Sequence, residues 1–191
     1  MSQYSCIEII RTKAKQMVRS NDSLTHSQAL EFIAQNSNFS NYHELAKVAK
    51  STPLEPRLLM AAFGDSDFKD VIYNLYGSYT DGPFPSLEMA VEEELSGDIA
   101  TTNADGFTIE DLTITDAFYD ETKGILDLNV AFLYQGDQLP DHVYSGTAFE
   151  VEAKVRLSWR NEKWNFINKD FEIKHVESDT ERDWYEEAED I

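Results

Sequence analysis

The hydrophobic pattern of this chain changes period once, and that change limits what the chain can become. Before about residue 100, apolar side chains recur every three or four positions, the repeat of a helix that buries one face. From Phe107 onward they recur every second position, the repeat of a strand with one buried and one solvated face. The pattern specifies an α+β protein: an N-terminal three-helix unit and a helical connector, followed by a four- or five-stranded antiparallel sheet packed on a helix.

Ile7, Ile10, Ala14, Met17 and Val18 mark a helix over residues 4–20. Thr25 or Ser27 caps a second, with Ala29, Leu30, Ile33 and Ala34 inward. A third runs over about residues 41–50, turning Tyr42, Leu45, Val48 and Ala49 inward. Pro56 suits the first turn of a fourth helix over 57–63, which Gly64 ends. Val71, Ile72 and Leu75 belong to a further helix, residues 79–85 read as loop, and Ser86 caps a helix reaching about Ser96.

In the second half, Phe107, Ile109, Leu112 and Ile114 form a first strand, with a bulge between Ile109 and Leu112. Residues 120–124 turn the chain into a strand from Ile125 to Phe132, and residues 135–143 read as a polar loop. Phe149, Val151, Ala153, Val155, Leu157 and Trp159 alternate strictly with polar residues. After the turn at 161–163, Trp164, Phe166 and Ile167 make a fourth strand, which Phe171, Ile173 and His175 extend or follow as a short fifth. The expected organisation is a helical head at 1–52, a helical connector at 53–100, a β domain at 101–175 and an acidic tail at 176–191.

Charge divides along the same line. The chain holds 36 acidic and 16 basic side chains, a net charge of −20, distributed as +2 on residues 1–50 and −22 on the remainder. Charge of this size governs solubility and long-range choice of partner rather than fold. It repels anionic lipid and phosphate and favours a basic protein partner. One cysteine, Cys6, forms no intramolecular disulfide and supports no thiolate metal cluster, which fits a reducing compartment. Neither a secretory signal nor a run of about 18 apolar residues is visible, so a cytoplasmic setting is expected.

Enzymatic motifs are missing from the sequence: it contains no Gly-x-Ser-x-Gly turn and no glycine-rich phosphate loop. His26, His43, His142 and His175 are too far apart in sequence to present paired ligands on one helix. Only Asp137, Asp141 and His142 cluster, in a loop, and they would be the centre of any catalytic reading. The expectation is therefore no metal, no cofactor and no catalysis. The acids expected to face outward are Glu88, Glu92, Glu93 and Glu94 on a helix, Glu150 and Glu152 on a strand, and Glu186 and Glu187 in the tail. Rows of carboxylates imitate a phosphate backbone and occupy basic clefts, with association sped by steering and weakened by salt. Such a DNA-mimic-like inhibitor would bind a nucleic-acid-binding or host-defence protein; an immunity protein against a cationic toxin would use the same chemistry. A DNA-binding regulator is the alternative, using Arg11, Lys15, His26, Gln28 and His43 of the head. Oligomeric state stays open, a homodimer included.

Residues 24–34, which contain Ser27-Gln28-Ala29-Leu30 and Ile33-Ala34, lead through Asn38-Phe39 to Tyr42 and Leu45. With the preceding basic helix, residues 5–50 resemble a small helical domain of plasmid-borne accessory proteins and of the ends of some glyoxalase-related proteins. Asn38 stands where that pattern usually has glycine, and asparagine also tolerates the left-handed conformation the turn needs. The resemblance implies a helical fold and a bacterial, mobile-element setting. The metal-binding part of the glyoxalases has no counterpart here, so their activity is not implied.

Overall fold

A computed structural model describes residues 2–72 and 84–180. Among the described residues, five α-helices precede a five-stranded antiparallel sheet, the α+β arrangement expected from the change of period. The helices are α1 (Cys6–Ser20), α2 (His26–Asn36), α3 (Tyr42–Ser51), α4 (Pro56–Phe63) and α5 (Phe84–Ile99).

Local signals set the helix ends. Thr25 closes a full capping box: its hydroxyl accepts from the Gln28 N–H at 3.3 Å, and the Thr25 N–H donates to Gln28 Oε1 at 3.0 Å. After α2, Asn38 adopts φ 60°, and the Phe39 N–H turns back to the Ala34 carbonyl at 3.0 Å. That is the left-handed reversal anticipated at this position. Asn41 caps α3 by accepting from the Glu44 N–H at 2.9 Å. Pro56 opens α4 and Gly64, at φ 89°, ends it. Helix α5 begins earlier than the Ser86 cap would place it. Pro85 is tolerated in its first turn, where the missing N–H has no helical partner to lose. The expected loop at 79–85 and the inward Leu75 lie mostly outside the described residues.

The strands are β1 (Ala104–Asp120), β2 (Ile125–Gln138), β3 (Ala148–Arg160), β4 (Lys163–Phe166) and β5 (Glu172–Ser178). They pair in the order β1-β2-β3-β4, and β5 also pairs with β3. The last stretch is therefore a separate strand that returns to β3, after a 3₁₀ turn at Asn168–Asp170. β1 and β2 run well past their apolar cores, and β2 continues through residues 135–138, the first part of the stretch that reads as polar loop. The expected irregularity in β1 coincides with Asp111, which sits at φ 49° between the buried Ile109 and Leu112. Asn161 and Glu162, at φ 53° and 63°, form the two-residue left-handed turn that suits a tight hairpin.

Two compact units emerge, interleaved in sequence. The first gathers residues 1–74 with 119–126 and 158–164. In it α1 packs against α2, α3 and α4. Its core is aromatic: Phe63 lies within 4.9–5.4 Å, centroid to centroid, of Phe68, Tyr119, Trp159 and Trp164. The N-terminal residues are fastened to the β1–β2 turn. Tyr119 donates its hydroxyl proton to the Tyr4 carbonyl at 2.7 Å, Ser2 Oγ donates to the Glu121 carbonyl, and the Arg160 guanidinium stacks 4.6 Å above the Tyr4 ring.

The second unit holds residues 75–118, 127–157 and 165–191, as far as they are described. Leu87, Ala90, Val91 and Leu95 of α5 are buried, as are Leu128, Val130, Phe132 and Tyr134 of β2 and Phe149, Val151, Ala153, Val155 and Leu157 of β3. Phe107 lies tilted against Tyr134 and Phe149, with ring centroids 5.3 and 5.8 Å away. Gly136 makes room for the Phe107 ring, which a Cβ there would meet at 2.8 Å.

Candidate functional site

Strict alternation along β3 puts its apolar residues on one face and Glu150, Glu152, Lys154 and Arg156 on the other. The outer face has two ends with different electrostatics. At one end Arg156 bonds Asp127 through two nitrogens, at 2.5 and 3.1 Å, and reaches Asp170 at 3.1 Å. Lys154 adds a contact to Asp127 at 3.3 Å. The Arg156 hydrogen bonds hold the Asp127 carboxyl below the ordinary carboxylate range, against the opposing effect of burial. On β5, Lys174 contacts Glu172 at 2.6 Å.

The other end carries like charge. The β3–β5 register sets Glu150 directly across from Glu177 and Glu152 across from His175. His175 Nε2 lies 3.9 Å from the Glu177 carboxylate. Nearby in the fold, Asp179 is buried, and its Oδ2 accepts from Tyr144 Oη at 2.5 Å and from the Thr147 N–H at 2.9 Å. Burial alone would raise this carboxyl, but the hydrogen bonds prevail and hold it low. Asp179 thus ties the 139–147 loop to the end of β5.

Helix α5 exposes Glu92, Glu93 and Glu94 in succession, and among the described residues none of the three makes an ion pair. Three consecutive residues span most of one helical turn, so their carboxylates fan outward instead of forming a single row. Burial, reinforced by the negative charges of Glu92 and Glu88, pushes the Tyr134 hydroxyl up to about 12. Glu150 and Glu152 are exposed on β3. Glu186 and Glu187 lie outside the described residues.

The residues read as nucleic-acid contacts belong to the first unit. Arg11 donates Nε to Tyr42 Oη at 3.0 Å and Nη1 to Glu8 at 2.5 Å. Gln28 is engaged in the capping box, while Lys15, His26 and His43 are exposed. Asp137, Asp141 and His142 are exposed around the end of β2, with Asp141 at φ 64° in a turn. No group of three or more His, Cys, Asp or Glu side chains among the described residues is placed to hold a metal ion. No helix among them is long and apolar enough to cross a membrane. Sequence reasoning missed the Asp127–Arg156–Asp170 triad, whose members are 14 and 29 residues apart. Alternation placed Arg156 outward but gave no sign of its partners. Compared with protein families, curated proteins and solved structures, the chain matches none.

Proposed function

We propose that this protein acts by binding, without catalysis, presenting exposed carboxylates of its second unit to a basic site on a protein partner. The observation that carries this reading is the allocation of cations. Lys154, Arg156 and Lys174 are engaged with Asp127, Asp170 and Glu172, while Glu92, Glu93 and Glu94 stand exposed without ion pairs among the described residues. A partner's lysines and arginines supply the missing counter-charge, and a nucleic-acid-binding protein carries them in a cleft already shaped for anions. The head's resemblance to plasmid-borne accessory domains supports a mobile-element setting, in which inhibition of a cytoplasmic host-defence or DNA-processing protein is a fitting role.

The test is binding of the full chain to a panel of purified basic nucleic-acid-binding proteins, followed by competition with duplex DNA. Affinity should fall steeply between about 0.01 and about 1 M salt, as the screening length shrinks from about 30 to about 3 Å. Reversing Glu92, Glu93 and Glu94 to lysine should abolish binding without unfolding the protein. Binding that ignores salt, or that survives the triple reversal, overturns the reading.

A further inference from the structure

Within the first unit, a hollow of about 180 Å³ opens between the first half of α1 and the second half of α3. Its space comes from small side chains: Ala46 and Ala49 line it from α3, where larger residues would close it. Ile7 and Pro53 add apolar wall. The Cys6 thiol belongs to that wall too, since burial pushes it up to about 12 and keeps it uncharged. A dry apolar cavity of about 150 Å³ is enough to take benzene. This hollow is slightly larger, and it opens beside charge.

Arg11 and Lys50 both line it. Tyr42 and Glu8 fix the Arg11 guanidinium in place while leaving N–H donors over. Lys50, exposed in the last turn of α3, makes no ion pair among the described residues. Among the described residues, Glu121 is the single acid in the lining. The hollow is lined mainly by the head, the one part of a chain of net charge −20 whose own charge is slightly positive.

We propose that this hollow binds a small organic anion, a single carboxylate on an apolar body between a benzene ring and a hexyl chain in size. The body fills the space between Ile7 and Ala49, the carboxylate faces Lys50 and the free edge of Arg11, and Glu121 disfavours the reversed orientation. This site is separate from the acidic surface, so either assignment can fail without the other.

Benzoate and hexanoate are the probes, with benzyl alcohol and 1-hexanol as their neutral counterparts, titrated into the full chain and followed by backbone amide chemical shifts. Shifts should be confined to residues 2–11, 46–53 and 121, with affinities in the millimolar range typical of fragments of this size. Each carboxylate should bind about fivefold tighter than its alcohol, the upper end of what an exposed ion pair supplies. Lys50→Gln should shrink that advantage, leaving only the share due to Arg11, while leaving alcohol binding intact. Ala49→Leu should abolish binding of all four; if this variant fails to fold, the wild-type comparison and Lys50→Gln decide. Absence of localised shifts at about 10 mM probe, equal affinity for acid and alcohol, or unchanged selectivity in Lys50→Gln overturns the proposal.

Discussion

In the first compact unit, five aromatic rings from three separate stretches of chain close on one another around Phe63. In the second, the inward face of the sheet is mostly aliphatic, and the outer face of β3 carries two acids followed by two bases. The two regions therefore rely on different forces. Ring packing is indifferent to salt and nearly so to pH, because nothing in it ionises in the ordinary range; the Tyr119 hydroxyl is raised by burial. Order on the outer sheet face depends on carboxylates remaining ionised. The contrast separates what holds the protein together from what it presents to solvent.

The largest expected effect tests the aromatic side of that contrast. Phe63→Ala removes the ring that touches four others and should cost about 3–5 kcal/mol, the range for a buried phenylalanine. Denaturant unfolding measures it, and the loss should be the same at low and high salt. A cost below about 1 kcal/mol would mean the rings are not the unit's principal support. Gly124→Ala comes next. Gly124 adopts φ 67°, and a Cβ there would meet the Tyr4 ring at 2.6 Å. Left-handed strain and overpacking together should cost about 2–4 kcal/mol. Amide exchange should rise first at residues 2–5, which that turn fastens.

On the charged side, Arg156→Met leaves Asp127 and Asp170 without their shared guanidinium. The Arg156 side chain is 31 % exposed, so solvent discounts the loss to about 1–2 kcal/mol. The pH dependence sharpens the test. Asp127 is held below its ordinary value of 3.8 in the folded protein. A depressed carboxyl contributes stability above its unfolded value and loses it as pH falls through the folded one. Wild-type stability should thus decline as pH drops below about 3.8, and Arg156→Met should show a shallower decline over the same range. Equal slopes would locate the acid sensitivity elsewhere, with Asp179 the next carboxylate to examine.

Much of this fold could be read in the sequence because its signals are local. The change of period, the Thr25 cap, the Pro56 start and the turns at 120–124 and 161–163 each act within a few residues. The irregularity at Asp111, where φ is 49°, can be read because it breaks an otherwise regular alternation. Strand extent was harder to judge. The outward residues of β1 are threonines and acids, which resemble loop composition until pairing with β2 accounts for them. The return of β5 to β3 is a long-range choice made after the 3₁₀ turn, and no local pattern encodes it. For the candidate surface, sequence gave the outward position of Glu150 and Glu152 but not which acids keep a cation. That depends on Arg156 meeting Asp127 across 29 residues of sequence.

The smallest effect bears most directly on the proposed function. Glu150 and Glu177 are directly opposed across β3 and β5, where side chains of paired residues start about 5 Å apart and like charges destabilise. Glu177→Gln removes one charge while keeping size and hydrogen-bonding shape. Stability at low salt should rise by about 0.2–0.5 kcal/mol, and the gain should shrink as salt is added. Glu172→Gln is the control from the same strand: Glu172 contacts Lys174 at 2.6 Å, so its removal should not stabilise the protein. Opposite signs for the two variants would mean that Glu150 and Glu177 repel each other across the strand pair, a cost the fold tolerates, as a surface meant for a cationic partner would. A loss of stability in Glu177→Gln would mean that this carboxylate already has its cation within the chain, and the case for that end of the sheet as a partner's landing site would fall with it.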